Sequence, residues 1–278
     1  GRGRKGSAVS FSGNTGEEPA EADPGLIRIY GYREMLKLDG RFRFRIPDPL
    51  SEEDVNGHTA SVGSAACDGA PGRGEADGEG EGCPVGVRSD RWEVAESDTF
   101  WLSETPDEPS TGWDASYPRI ATWARVRAVD GGAELLVVNT HFDHVSARAR
   151  RESARLLRER LPEIAGGGGS DADEAAPVVL LGDLNCTPGS DPHRILVGDD
   201  PDVDGDRFPL RDAAAAADLR HGPETSLTDF GRLIDGRRID HALVSPEVSV
   251  EAFATLADRD ERGRYPSDHL PILARLSV

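Results

Sequence analysis

Residues 177–185 read PVVLLGDLN, and this stretch decides the fold. A run of Val and Leu this short, with no polar alternation, describes a strand buried on both faces, as inside an α/β sheet. The run breaks at Gly182 and delivers Asp183 and Asn185 at its end, where open sheets bind ligands. Immediately upstream, AGGGGSDADEAA (165–176) is a polar surface loop. Before it, residues 146–165 change to a helical period. Ala147, Ala154, Leu157, Leu161 and Ile164 share one stripe, Arg148, Arg151, Arg155 and Arg158 lie largely off it as a solvated face, and Ser146 is the N-cap.

Further out the texture is that of strands bounded by turns. PVGVR (84–88), WEVAESDTFWLS (92–103) and RIATWARVRAV (119–129) read as strands, with Gly131-Gly132 turning a hairpin into AELLVVNT (133–140). Downstream, RRIDHALVS (237–245) and DHLPILARLSV (268–278) are two more. Strands interleaved with helices predict a layered α/β fold over residues 83–278. Residues 1–82 differ: they are rich in Gly, Ser, Asp and Glu, end in GAPGRGEADGEGEG (69–82), and read as a low-complexity or inserted region, partly disordered. Only the island GLIRIYGYREMLKLDGRFRFRIP (25–47) interrupts them, as a strand with a helical turn or as a hairpin.

The chain carries 51 Asp plus Glu against 32 Lys plus Arg, a formal net charge of -19, and Lys5 and Lys37 are its only lysines. Such a charge opposes a polyanionic partner. Together with abundant Ala and Gly it also suggests a salt-loving source, and at about 1 M salt the Debye length is only about 3 Å, so net charge neither steers nor repels. Cys67, Cys83 and Cys186 give neither a disulfide framework nor a zinc spacing, which fits a reducing cytoplasm. No apolar run reaches a bilayer-spanning length. The expectation is a cytoplasmic monomer with no membrane partner.

Four strings place acid, amide and imidazole groups at strand ends: NTHFDH (139–144), GDLN (182–185), RIDH (238–241) and SDH (267–269). Singly, each has a plainer account. Asp183 and Asn185 are good turn formers, Asp240 with His241 is an ordinary strand-end pair, and Asp268 with His269 is a cap. In this order, the series NTH, GDxN, IDH and SDHxPI resembles the endonuclease/exonuclease/phosphatase superfamily, the deoxyribonuclease-I-like fold. DTFWLSETPDEPSTGWDASYPRIATWARV (98–126) resembles a subgroup of metal-dependent hydrolases within it.

The resemblance implies a sandwich of two packed mixed sheets flanked by helices. It also implies hydrolysis of a phosphate ester by water, with Mg2+ or alternatively Mn2+ as cofactor and a nucleic acid among the candidate substrates. Carried over, Asp183 orients or deprotonates the water and Asn185 donates to a phosphate oxygen. His269 contacts the scissile phosphate with Asp240 fixing its ring, Asp268 sits at or near the metal, and His141 stabilises developing charge or protonates the leaving group. Asn139 is a supporting strand-end residue, and Arg119 reaches a phosphate. Trp101, Trp113 and Trp123 pack the core or line the cleft.

The superfamily pattern opens with a strand bearing a metal-proximal Asn and a second strand ending in Gln-Glu, and neither is found here. The chain begins at Gly1, without methionine, and GRGRKG (1–6) looks like the stretch that follows that Glu. The expectation is that the first strands lie upstream and that the chain as written has little or no activity. The missing motifs also suit a catalytically inactive, phosphate-binding remnant, which would bind a phosphodiester without cleaving it. HFDH (141–144) further suggests the histidine-rich zinc motif of metallo-β-lactamase-like hydrolases, but the histidine that should stand two places earlier is Asn139.

Overall fold

A computed structural model of the chain describes residues 27–31, 59–62, 82–88, 91–166, 175–200, 208 and 210–278. Most of the 1–82 region, and with it the expected disorder and insertion, lies outside the described residues. The elements are β1 (Ile27–Gly31), β2 (Thr59–Val62), β3 (Val85–Arg88), β4 (Trp92–Trp101), β5 (Ile120–Ala128), β6 (Glu134–His141), α1 (Ala147–Ile164), β7 (Val178–Asp183), α2 (Asp191–Val197), β8 (Arg211–Asp212), α3 (Ala213–Ala216), β9 (Leu219–His221), β10 (Asp240–Val244), β11 (Ser249–Thr255) and β12 (Ile272–Ser277).

They form a six-stranded sheet in the order β4-β5-β6-β7-β10-β8, a four-stranded sheet in the order β1-β12-β11-β9, and a β2-β3 ladder. Both larger sheets are mixed: β6 and β7 run parallel, as do β9 and β11. A parallel pair needs a crossover, and α1 supplies it between β6 and β7.

The apolar run of β7 is explained by two cores. Val179 and Leu181 face inward with Val137 and Ala242, against Phe253, Ile272 and Ala274 of the other sheet. Val178 and Leu180 face outward, where Leu157 and Leu161 of α1 and Ile195 and Leu196 of α2 cover them. Both faces of the strand are dry, so alternation would have been destabilising. The α/β sandwich of two mixed sheets expected from the sequence is the architecture observed.

Helix α1 starts where its cap requires, with the Ser146 hydroxyl accepting from Ala149 N at 3.0 Å. Its buried stripe is Ala149, Ser153, Ala154, Leu157, Arg158 and Leu161. Two expectations need correction: Ala147 is exposed, and Arg158 is buried. The cause is α2, which lies against α1. Arg158 turns under it and directs Nη1 to Leu196 O at 3.4 Å. No described helix is long and apolar enough to cross a membrane.

Candidate active site at the strand ends

Three adjacent strands of the large sheet end in the acid and imidazole groups. His141 on β6 is the register partner of Asp183 on β7, and Asp183 is the partner of Asp240 on β10. Cross-strand partners share a face, so all three side chains project inward, at the rim of the cleft between the sheets. His269 joins them from the loop before β12, tied down by an isolated bridge to Leu227. All four are nearly inaccessible, between 1% and 8% exposed, so their mutual interactions are little screened by water.

Gly182 lets this meeting happen. It has φ 148°, and a Cβ there would lie 1.9 Å from the carbonyl oxygen of its register partner Thr140. Only glycine permits the close approach that brings Asp183 level with His141.

The hydrogen bonds orient the groups. His269 Nδ1 donates to Asp240 Oδ2 at 2.8 Å, which turns its Nε2 toward Asp183 Oδ2, 3.9 Å away. His141 Nε2 stands 3.4 Å from the same oxygen. The other oxygen, Asp183 Oδ1, accepts from Asn185 N at 2.9 Å. Burial and the neighbouring Asp240 carboxylate raise the Asp183 pKa, against the opposing pull of His141 and His269. Asp183 therefore holds a proton more readily than an ordinary aspartate does.

Two buried carboxylates facing one another resist joint ionisation unless a cation lies between them. Ligand atoms of Asp183, Asp240 and His269 all lie within 4.8 Å of one another. That donor set, two carboxylates with an imidazole, could hold a divalent cation.

The remaining expected residues surround this centre. Asn185 has φ 47°, and its Nδ2 donates to Phe142 O at 2.9 Å, which leaves the second Nδ2 hydrogen for a ligand. Asp268 is half-buried beside His269, takes a hydrogen bond from Ser267 Oγ at 3.2 Å, and stands outside the Asp183–Asp240–His269 group. Asn139 shares the inward face two residues before His141, but its Nδ2 is given to Pro84 O at 2.8 Å. Arg119 is buried, with Nη2 3.2 Å from His144 Nδ1 and Nε 3.7 Å from Asp143 Oδ2, and the Tyr117 ring stacks on His144. Trp113 and Trp123 pack against the outer core.

Asp143 decides against the zinc reading of HFDH. Its burial favours the neutral form, but hydrogen bonds from Ser146 N, Val145 N and Ser116 N, with Arg119 alongside, hold its pKa below the ordinary range. Its oxygens organise the loop that caps α1, and His141, Asp143 and His144 form no ligand group among the described residues.

Sequence reasoning missed two sets of residues. Ser226 Oγ accepts from both Ile239 N and Asp240 N, at 3.0 and 3.1 Å, and so seats Asp240. Behind the site, the buried His193, Asp212 and His241 form a polar cluster with the half-buried Arg238. Period-two alternation along β10 was the available signal: with Asp240 inward, His241 must point outward.

A two-sheet α/β sandwich with carboxylates and imidazoles converging at its strand ends defines the deoxyribonuclease-I-like class of proteins. Within it, the chain belongs to the endonuclease/exonuclease/phosphatase family, whose model matches residues 78–269. A solved endonuclease/exonuclease/phosphatase from Bacteroides vulgatus is 34% identical, with a TM-score of 0.67 over 80% of this chain and 77% of the other. A mannosyl-6-phosphatase from Bacteroides thetaiotaomicron VPI-5482 is 31% identical, with a TM-score of 0.67 over 82% and 80%. Zebrafish TDP2, solved with a single-stranded DNA product, shares the fold at 18% identity, with a TM-score of 0.53 over 80% and 78%. A search of curated protein sequences found no match.

Proposed function

We propose that the chain is a phosphoesterase supported by magnesium or manganese, acting on a phosphate monoester of a small polyol or sugar. One observation carries this: Asp183 Oδ2 lies 3.4 and 3.9 Å from the Nε2 atoms of two imidazoles, in a buried site at the strand ends. A carboxylate held between two imidazoles is suited to orient water and take its proton while the imidazoles face the phosphoryl oxygens.

In this mechanism Asp183 orients and deprotonates the attacking water. His269, as an imidazolium stabilised and oriented by Asp240, donates Nε2–H to the scissile phosphate. His141 faces the developing charge and donates to the leaving oxygen. Asn185 gives its remaining Nδ2 hydrogen to a non-bridging oxygen, and Arg119, fixed by Asp143 and His144, adds positive charge at the same sheet end. Asn139 supports the end of β6. The carboxylates of Asp183 and Asp240, with Asp268 at the edge, would hold the divalent ion, whose chemistry is charge neutralisation at the phosphoryl group, and His269 Nε2 is left to the phosphate.

The substrate class is supported by the mannosyl-6-phosphatase at 31% identity and by the net charge of -19, which disfavours long nucleic acid. A panel of mannose 6-phosphate, other sugar phosphates, nucleotides and single-stranded DNA, with Mg2+, Mn2+ or chelator at low and high salt, tests it. Weak phosphate release from sugar phosphates that chelator abolishes is the expected result. Binding of the panel without turnover would identify an inactive remnant, and preferential cleavage of DNA would replace the substrate class.

A further inference from the structure

Strand β10 carries polar side chains on both faces, and the outward one takes no part in the steps above. His241 is fully buried, and its Nε2 lies 2.8 Å from Cys186 O. A carbonyl only accepts, so Nε2 carries the hydrogen and Nδ1 presents its lone pair. Arg238 Nη1 donates to that lone pair at 3.4 Å. The same guanidinium grips both oxygens of Asp212, Nη1 to Oδ1 at 3.2 Å and Nη2 to Oδ2 at 2.6 Å. Asp212 Oδ2 also accepts from His193 Nε2 at 2.9 Å, and His193 Nδ1 in turn accepts from Gly189 N at 3.3 Å.

Ligand atoms of His193, Asp212 and His241 fall within 4.8 Å of one another, as they would around a metal. Arg238 already supplies the cation, and a second one would have to displace it. The cluster is a closed hydrogen-bonded ion pair, and its two imidazoles end on one loop, residues 184–190.

That loop begins with the turn Asp183-Leu184-Asn185. The turn is held in a costly form, because Asn185 sits at φ 47°, tolerated by asparagine but not preferred. Its amide nitrogen reaches back to Asp183 Oδ1 at 2.9 Å, so the backbone at Asn185 and the carboxylate of Asp183 move together.

We propose that His241, anchored through Arg238 to Asp212, is a positioning residue: by gripping the Cys186 carbonyl from the outer face of the sheet, it fixes Asn185 and Asp183 on the inner face. The proposal rests on the assignment of those two residues to the phosphoryl group and water, and acts on kcat through them. A turn free to relax misplaces its donors by a fraction of an ångström, which weakens contacts made in the transition state more than ground-state binding.

The test uses Mg2+-dependent turnover of mannose 6-phosphate, with p-nitrophenyl phosphate, also a monoester, as a second probe. His241→Leu lowers kcat about tenfold and leaves KM within about twofold. His241→Gln, which keeps one donor for Cys186 and one acceptor for Arg238, restores most of the rate. In an Asn185→Ala background the His241→Leu step costs about threefold rather than about tenfold, since one of the two groups it acts through is gone. Amide exchange reads the same clamp without turnover: the Asn185 N–H exchanges on the order of tenfold faster in His241→Leu and as in the parent in His241→Gln.

Equal loss of kcat in both backgrounds, a loss confined to KM, or unchanged Asn185 exchange overturns the proposal. If His241→Leu does not fold, His241→Asn, polar but one methylene too short for the Cys186 carbonyl, takes its place with the same expectations. Failure of both probes, or a rate indifferent to Asn185→Ala, sinks the functional reading instead, and the exchange measurement then decides the clamp by itself.

Discussion

The pairing of Asp240 with His269 illustrates what one carboxylate does in this site. It accepts from Nδ1 at 2.8 Å and so fixes the ring with Nε2 toward Asp183. An asparagine removes the charge that favours the imidazolium, and with it the Nε2–H that the phosphate accepts. Asp240→Asn is expected to reduce kcat by about 100-fold or more with little change in KM, measured on the best substrate of the panel. A second residue-scale expectation concerns stability. Burial first, then Arg238, lowers the His241 pKa from 6.5 to about 4. Between those values the unfolded chain binds a proton that the folded one refuses, so stability is full above pH 6.5 and declines as pH falls toward about 4. The decline attributable to this ring is about 3 kcal/mol, and urea titrations across that pH range should show it shrink in His241→Gln. The four inward residues were legible because each stands in a short string with a recognisable neighbour. His193 and Asp212 were not: nothing in their spacing from His241 announces that folding brings them together.

At the scale of elements, the reading was most accurate where a strong local rule had no competitor. Ser146 capped α1, Gly131-Gly132 turned β5 into β6, and the apolar run became β7. It failed where elements are short or irregular. Helix α2 is only seven residues, too few for a period to show, although Ser190, Pro192 and Gly198 are start and stop signals in the expected order. Strand β11 has a register shift between Val250 and Ala252, which breaks its alternation. Two substitutions test the element boundaries that matter. Gly182→Ala drives a methyl into the Thr140 carbonyl and should cost about 3 kcal/mol or more in denaturant unfolding, because relief requires β6 and β7 to separate. Ser146→Ala removes the hydroxyl acceptor for Ala149 N and should cost about 1 kcal/mol in the same measurement, with the site otherwise intact.

For the whole molecule, charge sets the terms. A net charge of -19 is spread over a chain whose described surface also carries exposed pairs such as Arg148–Asp114 and Arg151–Asp191. Exposed pairs contribute about 0–1 kcal/mol each, whereas repulsion among the excess carboxylates acts everywhere and is screened by salt. The melting temperature should therefore rise between about 0.1 and 2 M KCl; a fall would mean that the pairs outweigh the repulsion. Composition made this balance visible in advance. The packing of two sheets was not visible in composition or periodicity, which give strands but not their partners, and it came from the order of the four motifs.

The alternation along β10 has a consequence for how this protein can vary. Asp240 faces the cleft and His241 faces Arg238, so neighbouring residues serve opposite sides of one sheet. A slip of one register position would carry an imidazole into the cleft and set a carboxylate among the outer core, and both sides would fail at once. Insertions or deletions between Ser226 and Asp240 must therefore be absorbed in the connecting loop and never in the strand. Variants that retune substrate choice should leave residues 238–241 as a single unit, since no one of them can be traded without answering to both faces.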